Sequence, residues 1–302
     1  MTTVLLLTAL PSQAPPLIDH IHRELPDLPC LPGPDGLSDA HLAAVDVVLG
    51  WRFPKGLCER LPSLRWVFSM AAGVEKLLVP ELPSGVPISR MVDPDQALGM
   101  AQYAVAMVLR HARGLAGYEA QQRARDWTRH PMAAARHRVA VLGWGEVGRE
   151  IGRQLESLGF RLRGWRRDGT PLRDLLSETD IVVNVLPLTP QTAGLLDAAA
   201  FAALPRGSYV INVARGGHVI EADLIAAVRI GHLAGAALDV QQREPLPADD
   251  PLWDVPGITV TPHTSARTLR DESIAQIARK MAALERGEAV AASVPGEPPA
   301  LL

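Results

Sequence analysis

The stretch HRVAVLGWGEVGREIG, residues 137–152, decides the fold. His137 to Leu142 has the apolar character of a buried strand. It runs directly into Gly143-Trp144-Gly145-Glu146-Val147-Gly148, and the following residues repeat apolar positions at helical spacing. A strand, a G-x-G-x-x-G turn and a helix, in that order, open a dinucleotide-binding sheet. The first glycine permits the tight turn, the second lets the backbone approach a pyrophosphate, and the third lets helix and strand pack closely. The helix then offers its free N–H groups and the positive end of its dipole to the phosphates. Trp144 and Val147 fill the variable positions, and the Glu146 side chain is expected to point outward, away from an anion. Glycines serving packing alone are the competing reading of this stretch by itself.

Downstream of this stretch, strand-like runs recur: FRLRGW (160–165), DIVVNVLP (180–187), SYVINVA (208–214), LAGAALDV (233–240) and ITVTPH (258–263). With the opening strand they supply six strands, enough for a complete dinucleotide-binding sheet with helical crossovers. Upstream, VLLLTAL (4–10), VDVVLGW (45–51), LRWVFSM (64–70) and VPISR (86–90) form an earlier series punctuated by Pro and Gly. Residues 100–115 read as a helix between the two series. A long C-terminal helix from about Ser265 carries Ile274, Ile277, Met281 and Leu284 on one face, with Gly287 as its stop, and is expected to return to the first domain. The expected fold is α/β: two Rossmann-like or flavodoxin-like parallel-sheet domains with an inter-domain cleft. The first comprises 1–98 plus 268–302 and binds substrate; the second, 99–267, binds the dinucleotide.

Composition fits this plan. The chain has 302 residues, too many for one ordinary domain, and its 47% hydrophobic and 21% charged content is that of a globular protein with a large core. A formal net charge of -3 provides no basic field for a phosphate backbone, so nucleic acid is not an expected partner. The only cysteines, Cys30 and Cys58, lack CxxC spacing and a histidine cluster. They read as ordinary thiols in a reducing cytoplasm, with no metal site. The apolar start, MTTVLLL, lacks a basic leader and reads as a first strand, and no apolar run is long enough to span a bilayer.

The second dinucleotide strand ends in Gly164-Trp165-Arg166-Arg167-Asp168-Gly169. A fold specific for NAD usually ends this strand in an acid that binds the ribose 2'-hydroxyl; two arginines suit a 2'-phosphate instead, through forked donors and permanent charge. Two readings compete with this one: solvated turn arginines, or Asp168 as the ribose acid with the register slipped.

Three later stretches follow predicted strands: NVARGG (212–217), LDVQQREPLP (238–247) and TPHTSA (261–266). With the glycine turn, this ordered set resembles the D-isomer-specific 2-hydroxyacid dehydrogenase family over nearly the whole chain. SMAAGVEKLL (69–78), MAQYAV (100–105), RDWTRHP (125–131), LPLTPQT (186–192) and DDPLWDVPGITVTPH (249–263) resemble one subgroup, the bacterial glyoxylate/hydroxypyruvate reductase A type. The resemblance implies a homodimeric NAD(P)-dependent reductase of small 2-oxoacids, and Arg166 and Arg167 add the expectation that NADP(H) is preferred to NAD(H).

The chemistry of the matching residues agrees with that implication. Arg215 suits a substrate carboxylate and polarises the neighbouring keto oxygen. His263 is the side chain able to deliver a proton near neutral pH, and Glu244 orients that imidazole and favours its cation. By resemblance, Met100, Leu186, Pro187, Thr189, Val213, Ala214, Asp239, His263 and Ser265 join residues 143–148 and Arg166 and Arg167 around the cofactor, with Asp239 near the nicotinamide carboxamide. Ala72 and Gly73 offer amides to the substrate carboxylate, while Trp51 and Trp127 enclose the substrate, Trp127 across a dimer interface. Burial as a core anchor is the plainer reading of Trp51. Gln241 stands where the family often has an aromatic residue, which points to an altered rim. A phosphoglycerate dehydrogenase, a formate dehydrogenase and a non-catalytic NAD(P)H-sensing corepressor type are the rivals. A formate dehydrogenase would pair the histidine with Gln rather than Glu244.

Overall fold

The computed structural model describes residues 2–8, 11–70, 74, 76–90, 94–130, 137–166, 169–266, 270–288 and 290. The chain divides into two compact units, Met1–Asp93 with Thr268–Leu302, and Pro94–Arg267. The first break lies ahead of the boundary drawn at residue 98, because helix already begins at Pro94, a residue suited to the first helical turn.

The first unit is a five-stranded parallel sheet. Its strands are β1 (Val4–Leu7), β2 (Cys30–Leu31), β3 (Val47–Gly50), β4 (Trp66–Ser69) and β5 (Ile88–Ser89), in the order β2-β1-β3-β4-β5. Both faces are buried, and alternation along each strand sorts the side chains. Val4, Leu6, Val47, Leu49, Trp66 and Phe68 lie on one face with Ile21 of α1 (Ala14–Glu24). Leu5, Leu7, Val48 and Val67 lie on the other with Leu42 of α2 (Asp39–Ala43) and Leu61. Runs without polar interruption, such as VLLL, follow from this two-sided burial. The C-terminal helix Arg270–Glu285 places Ile274, Ile277 and Met281 in the first of these cores.

The second unit opens with α3 (Pro94–Ala112) and α4 (Leu115–Ala124). The pattern at 100–115 therefore belongs to a longer helix that stops earlier, since Gly114 adopts a left-handed conformation (φ 63°) that starts a separate helix. The sheet comprises β6 (Arg138–Leu142), β7 (Arg161–Trp165), β8 (Ile181–Asn184), β9 (Ser208–Asn212), β10 (Leu233–Leu238) and β11 (Ile258–Val260). All neighbours are parallel, in the order β11-β10-β9-β8-β6-β7. The chain goes to one side of β6 to form β7 and to the other to form β8. The switch point thus lies between the carboxyl ends of β6 and β8, the place where open α/β sheets bind ligands. The remaining helices are α5 (Glu146–Ser157), α6 (Leu172–Ser177), α7 (Ala198–Ala203) and α8 (Glu221–Arg229). Among the described residues, no helix is long and apolar enough to cross a membrane, and no cluster of His, Cys, Asp and Glu is arranged to hold a metal ion.

Candidate active site

Because every strand of the second sheet runs the same way, the turns after all six strands share its carboxyl edge. They carry Gly143, Arg166, Leu186, Arg215, Asp239 and His263. At the switch point the glycines perform separate tasks. Gly143 has φ 105°, and a Cβ there would lie 2.9 Å from the Val185 carbonyl oxygen, so the turn after β8 approaches closely only because the side chain is absent. A Cβ at Gly148 would lie 1.9 Å from the Gly143 oxygen, which fixes how tightly α5 packs on its strand. At Gly145, the residue capping α5, a Cβ would meet no described protein atom, and no side chain caps the helix. That position is not required by packing against the protein, and it leaves the first helical N–H groups for an anion. Glu146 is exposed, as expected, and Val147 is half-buried.

Trp144 is built into this turn. Cβ atoms at Gly164 of β7 and Gly152 of α5 would lie 2.1 and 2.5 Å from its indole, so both glycines make room for the ring. Arg166, exposed immediately after β7, donates through Nη2 to the Trp144 carbonyl oxygen at 3.0 Å. Its guanidinium is thereby tethered to the glycine turn, and a planar cation of this kind suits a phosphate group. Arg167 and Asp168 lie outside the described residues.

Two buried asparagines, unremarked in the sequence, organise the next two turns. Asn184 ends β8 and Asn212 ends β9. Asn184 donates to the Asn212 side-chain oxygen at 3.0 Å and accepts from the Leu186 N–H, while Asn212 accepts from the Ala214 N–H and donates to the Arg215 carbonyl at 3.0 Å. This ladder holds Leu186 and Pro187 beside Val213, Ala214 and Arg215. Leu186, Val213 and Ala214 are buried and Pro187 is exposed. Thr189 donates its N–H to Thr192 Oγ1, whose hydroxyl donates to the Pro187 carbonyl, closing that turn. Buried His218 lies 3.0 Å through Nδ1 from the Arg215 carbonyl, and burial holds its pKa below the ordinary value.

His263 and Glu244 meet as expected: His263 Nδ1 lies 3.0 Å from Glu244 Oε2. A carboxylate only accepts, so Nδ1 carries its proton toward Glu244 and Nε2 is the atom left for proton transfer. The His side chain is 47% exposed and accessible to a substrate. His263 also has φ 51°, a left-handed conformation uncommon outside glycine, with its N–H shared between the Asp239 and Thr261 carbonyls. Asp239 is fully buried. Its Oδ1 accepts from Thr261 Oγ1 and the Thr264 N–H, and its Oδ2 from the Ser265 N–H. In this structure Asp239 is therefore a holder of the histidine turn, with most of its acceptor capacity directed inward. Tyr103 on α3 lies 2.6 Å from Thr261 Oγ1; because that hydroxyl donates to Asp239, the phenol donates to it. Burial pushes the Tyr103 pKa up to about 12.

Gln241 does not form part of the rim as expected: it is 5% exposed, and its amide points inward to main-chain carbonyls. Ser265 is also buried, and Met100 packs on the core under β6. Trp51, in the first unit, follows β3 and is 42% exposed rather than a core anchor; Trp127, in the second unit after α4, is 93% exposed. Ala72 and Gly73 lie outside the described residues.

The second unit thus combines a helix N-terminus for phosphates, a tethered arginine, a guanidinium at Arg215 and an oriented imidazole. That set suits carbonyl reduction by hydride and proton. Residues 105–265 match the family described as D-isomer specific 2-hydroxyacid dehydrogenase, NAD binding domain. Over 263 residues the chain is 36% identical to a glyoxylate/hydroxypyruvate reductase A of Yersinia enterocolitica, spanning 80% of this chain and 83% of that one. A D-isomer specific 2-hydroxyacid dehydrogenase of Xanthobacter autotrophicus, solved with NADPH and MES, superposes with TM-score 0.85 at 36% identity, over 97% of this chain and 98% of that one. An NADPH-dependent glyoxylate/hydroxypyruvate reductase of Sinorhizobium meliloti, solved with NADP and sulfate, gives 0.84 at 30% identity, over 98% of both chains.

Proposed function

The chain belongs to the D-isomer-specific 2-hydroxyacid dehydrogenase family of NAD(P)-dependent oxidoreductases, and we propose that it reduces glyoxylate to glycolate and hydroxypyruvate to D-glycerate, with NADPH preferred and NADH an alternative. The observation that carries this reading is the His263–Glu244 pair at 3.0 Å, on the same sheet edge as Arg215 and the glycine turn. Relatives named glyoxylate/hydroxypyruvate reductase, and neighbours solved with NADPH or NADP, support the substrate class and the cofactor.

Gly143, Gly145 and Gly148 hold the pyrophosphate against α5, and Arg166, with Arg167, grips the 2'-phosphate. When bound there, the nicotinamide supplies hydride to the carbonyl carbon. Arg215 takes the substrate carboxylate in its fork and polarises the keto oxygen. His263 gives its Nε2 proton to that oxygen, while Glu244 fixes the ring through Nδ1 and stabilises the cation before transfer. Hydride and proton together convert the carbonyl to an alcohol, and reprotonation of His263 from solvent resets the site. Trp51 remains a proposed substrate contact, since it is exposed at the carboxyl end of its strand.

A homodimer is part of the proposal. Trp127, after α4, is almost fully exposed, and a second copy seated on it would remove a large aromatic side chain from water. Cys30 and Cys58 are free thiols, which favours a reducing, cytoplasmic setting. The test is a panel of small 2-oxoacids with NADPH and NADH, comparing kcat/KM along both axes. Glyoxylate and hydroxypyruvate with NADPH should lead; a larger 2-oxoacid that outruns both would overturn the substrate assignment.

A further inference from the structure

We propose that Gln241 is a positioning residue that sets the Glu244–His263 pair in register with Arg215. The inference rests on reading Glu244 and His263 as the proton relay. Three turns of the sheet edge converge on this one residue. Its backbone N–H donates to Glu244 Oε1 at 3.2 Å, while the other oxygen of the same carboxylate holds His263. Its side-chain Nε2 donates to the Leu238 carbonyl at 3.0 Å, at the end of β10, and faces the Thr261 carbonyl at 3.4 Å, two residues before His263. On its other side, a Cβ at Gly216 would lie 1.9–2.4 Å from the Gln241–Gln242 peptide, so the turn carrying Arg215 rests directly on it.

An apolar side chain at 241 would leave the backbone bond to Glu244 but release the tie between the β10 turn and the histidine turn. The two carbonyls would not be orphaned, because Leu238 O also accepts from the Thr261 N–H and Thr261 O from the His263 N–H. The amide therefore contributes geometry more than satisfaction, and its removal is compatible with folding.

The test uses Gln241→Met beside Gln242→Met. Gln242 makes an equivalent side-chain bond, Nε2 to the Val219 carbonyl at 2.6 Å, and among the described residues it has no bond to Glu244 or the histidine turn. Two readouts apply. The first is the His263 Nδ1 proton resonance, assigned by its loss in His263→Asn and its dependence on Glu244 by Glu244→Gln. The second is steady-state kinetics with NADPH and glyoxylate, including the solvent isotope effect on kcat. Gln241→Met should broaden or abolish the resonance, lower kcat on the order of tenfold and raise the isotope effect, with KM for NADPH within about twofold. Gln242→Met should leave all four in place. Equal effects from the two variants, an unperturbed resonance in Gln241→Met, or no Glu244-dependent resonance in the wild-type chain overturns the proposal. The resonance needs no turnover, so a wild type inactive on 2-oxoacids refutes the reductase reading while the positioning role is still decided.

Discussion

Replacing Asp239 by Asn separates two roles for that residue. Its carboxylate accepts from Thr261 Oγ1 and the Thr264 N–H through one oxygen, and from the Ser265 N–H through the other. Asn has the same shape but a single acceptor oxygen. With that oxygen facing Thr261 and Thr264, its NH2 group confronts the Ser265 N–H, two donors in a fully buried place. One charge-assisted bond is lost, worth about 1.5–3 kcal/mol, and a buried donor is left without a partner, at about 1–3 kcal/mol more. The expected loss is roughly 3–4 kcal/mol, a fall in the melting temperature on the order of 10 °C for a unit of this size. Because the turn holds His263 in its left-handed conformation, kcat should fall by about a hundredfold. Thermal unfolding and steady-state kinetics with NADPH as the varied substrate measure both. Unchanged unfolding with a KM for NADPH raised tenfold or more would refute this reasoning and return Asp239 to a direct contact with the nicotinamide carboxamide.

Other perturbations give equally distinct outcomes. Gly148→Ala places a methyl group 1.9 Å from the Gly143 oxygen, so α5 must shift; calorimetric titration should show NADPH affinity reduced at least about tenfold, with a loss of roughly 1–3 kcal/mol in stability. Arg166→Ala removes the tethered guanidinium and should weaken NADPH by about tenfold or more while changing NADH less than about twofold, read from the two Kd values. His111 stacks on Tyr209 at 4.3 Å, and burial, then the neighbouring His137, lowers its pKa to about 4. The unfolded chain, with a His pKa near 6.5, binds the proton first, so stability is full above that pH and falls as pH drops toward 4. The loss should be roughly 2 kcal/mol after allowance for partial exposure, and His111→Gln should flatten that part of a denaturant-midpoint profile against pH.

What was legible in the sequence follows from what local pattern encodes. Two-sided burial writes itself as apolar runs, so VAVL, VVLG and WVFS announced their strands and the glycine turn announced the switch point. Strand β2 went unseen because it is only Cys30–Leu31, at the sheet edge between Pro29 and Pro32. Helix α4 was missed because no residue of it is buried, leaving no apolar stripe to find. Arg215, Glu244 and His263 were readable from the turns that carry them. Their supports were not: Asn184, Asn212, Gln241 and the inward carboxylate of Asp239 join near neighbours in their own turns to partners on other turns, which only the folded sheet brings together. A polar residue at the end of an apolar run was the one signal present, and DIVVNV and SYVINV both show it. The tryptophans misled in the opposite direction, since residue type alone favoured burial for Trp51, yet its position after a strand left it in solvent.

The most direct measurement is glyoxylate-dependent oxidation of NADPH by the wild-type chain and by His263→Asn, side by side, with NADPH binding measured for both. The wild type should turn over, and the variant should bind NADPH equally while losing activity by about 10²- to 10⁴-fold. A wild type that consumes neither NADPH nor NADH with any small 2-oxoacid, or a variant as active as its parent, would contradict the account.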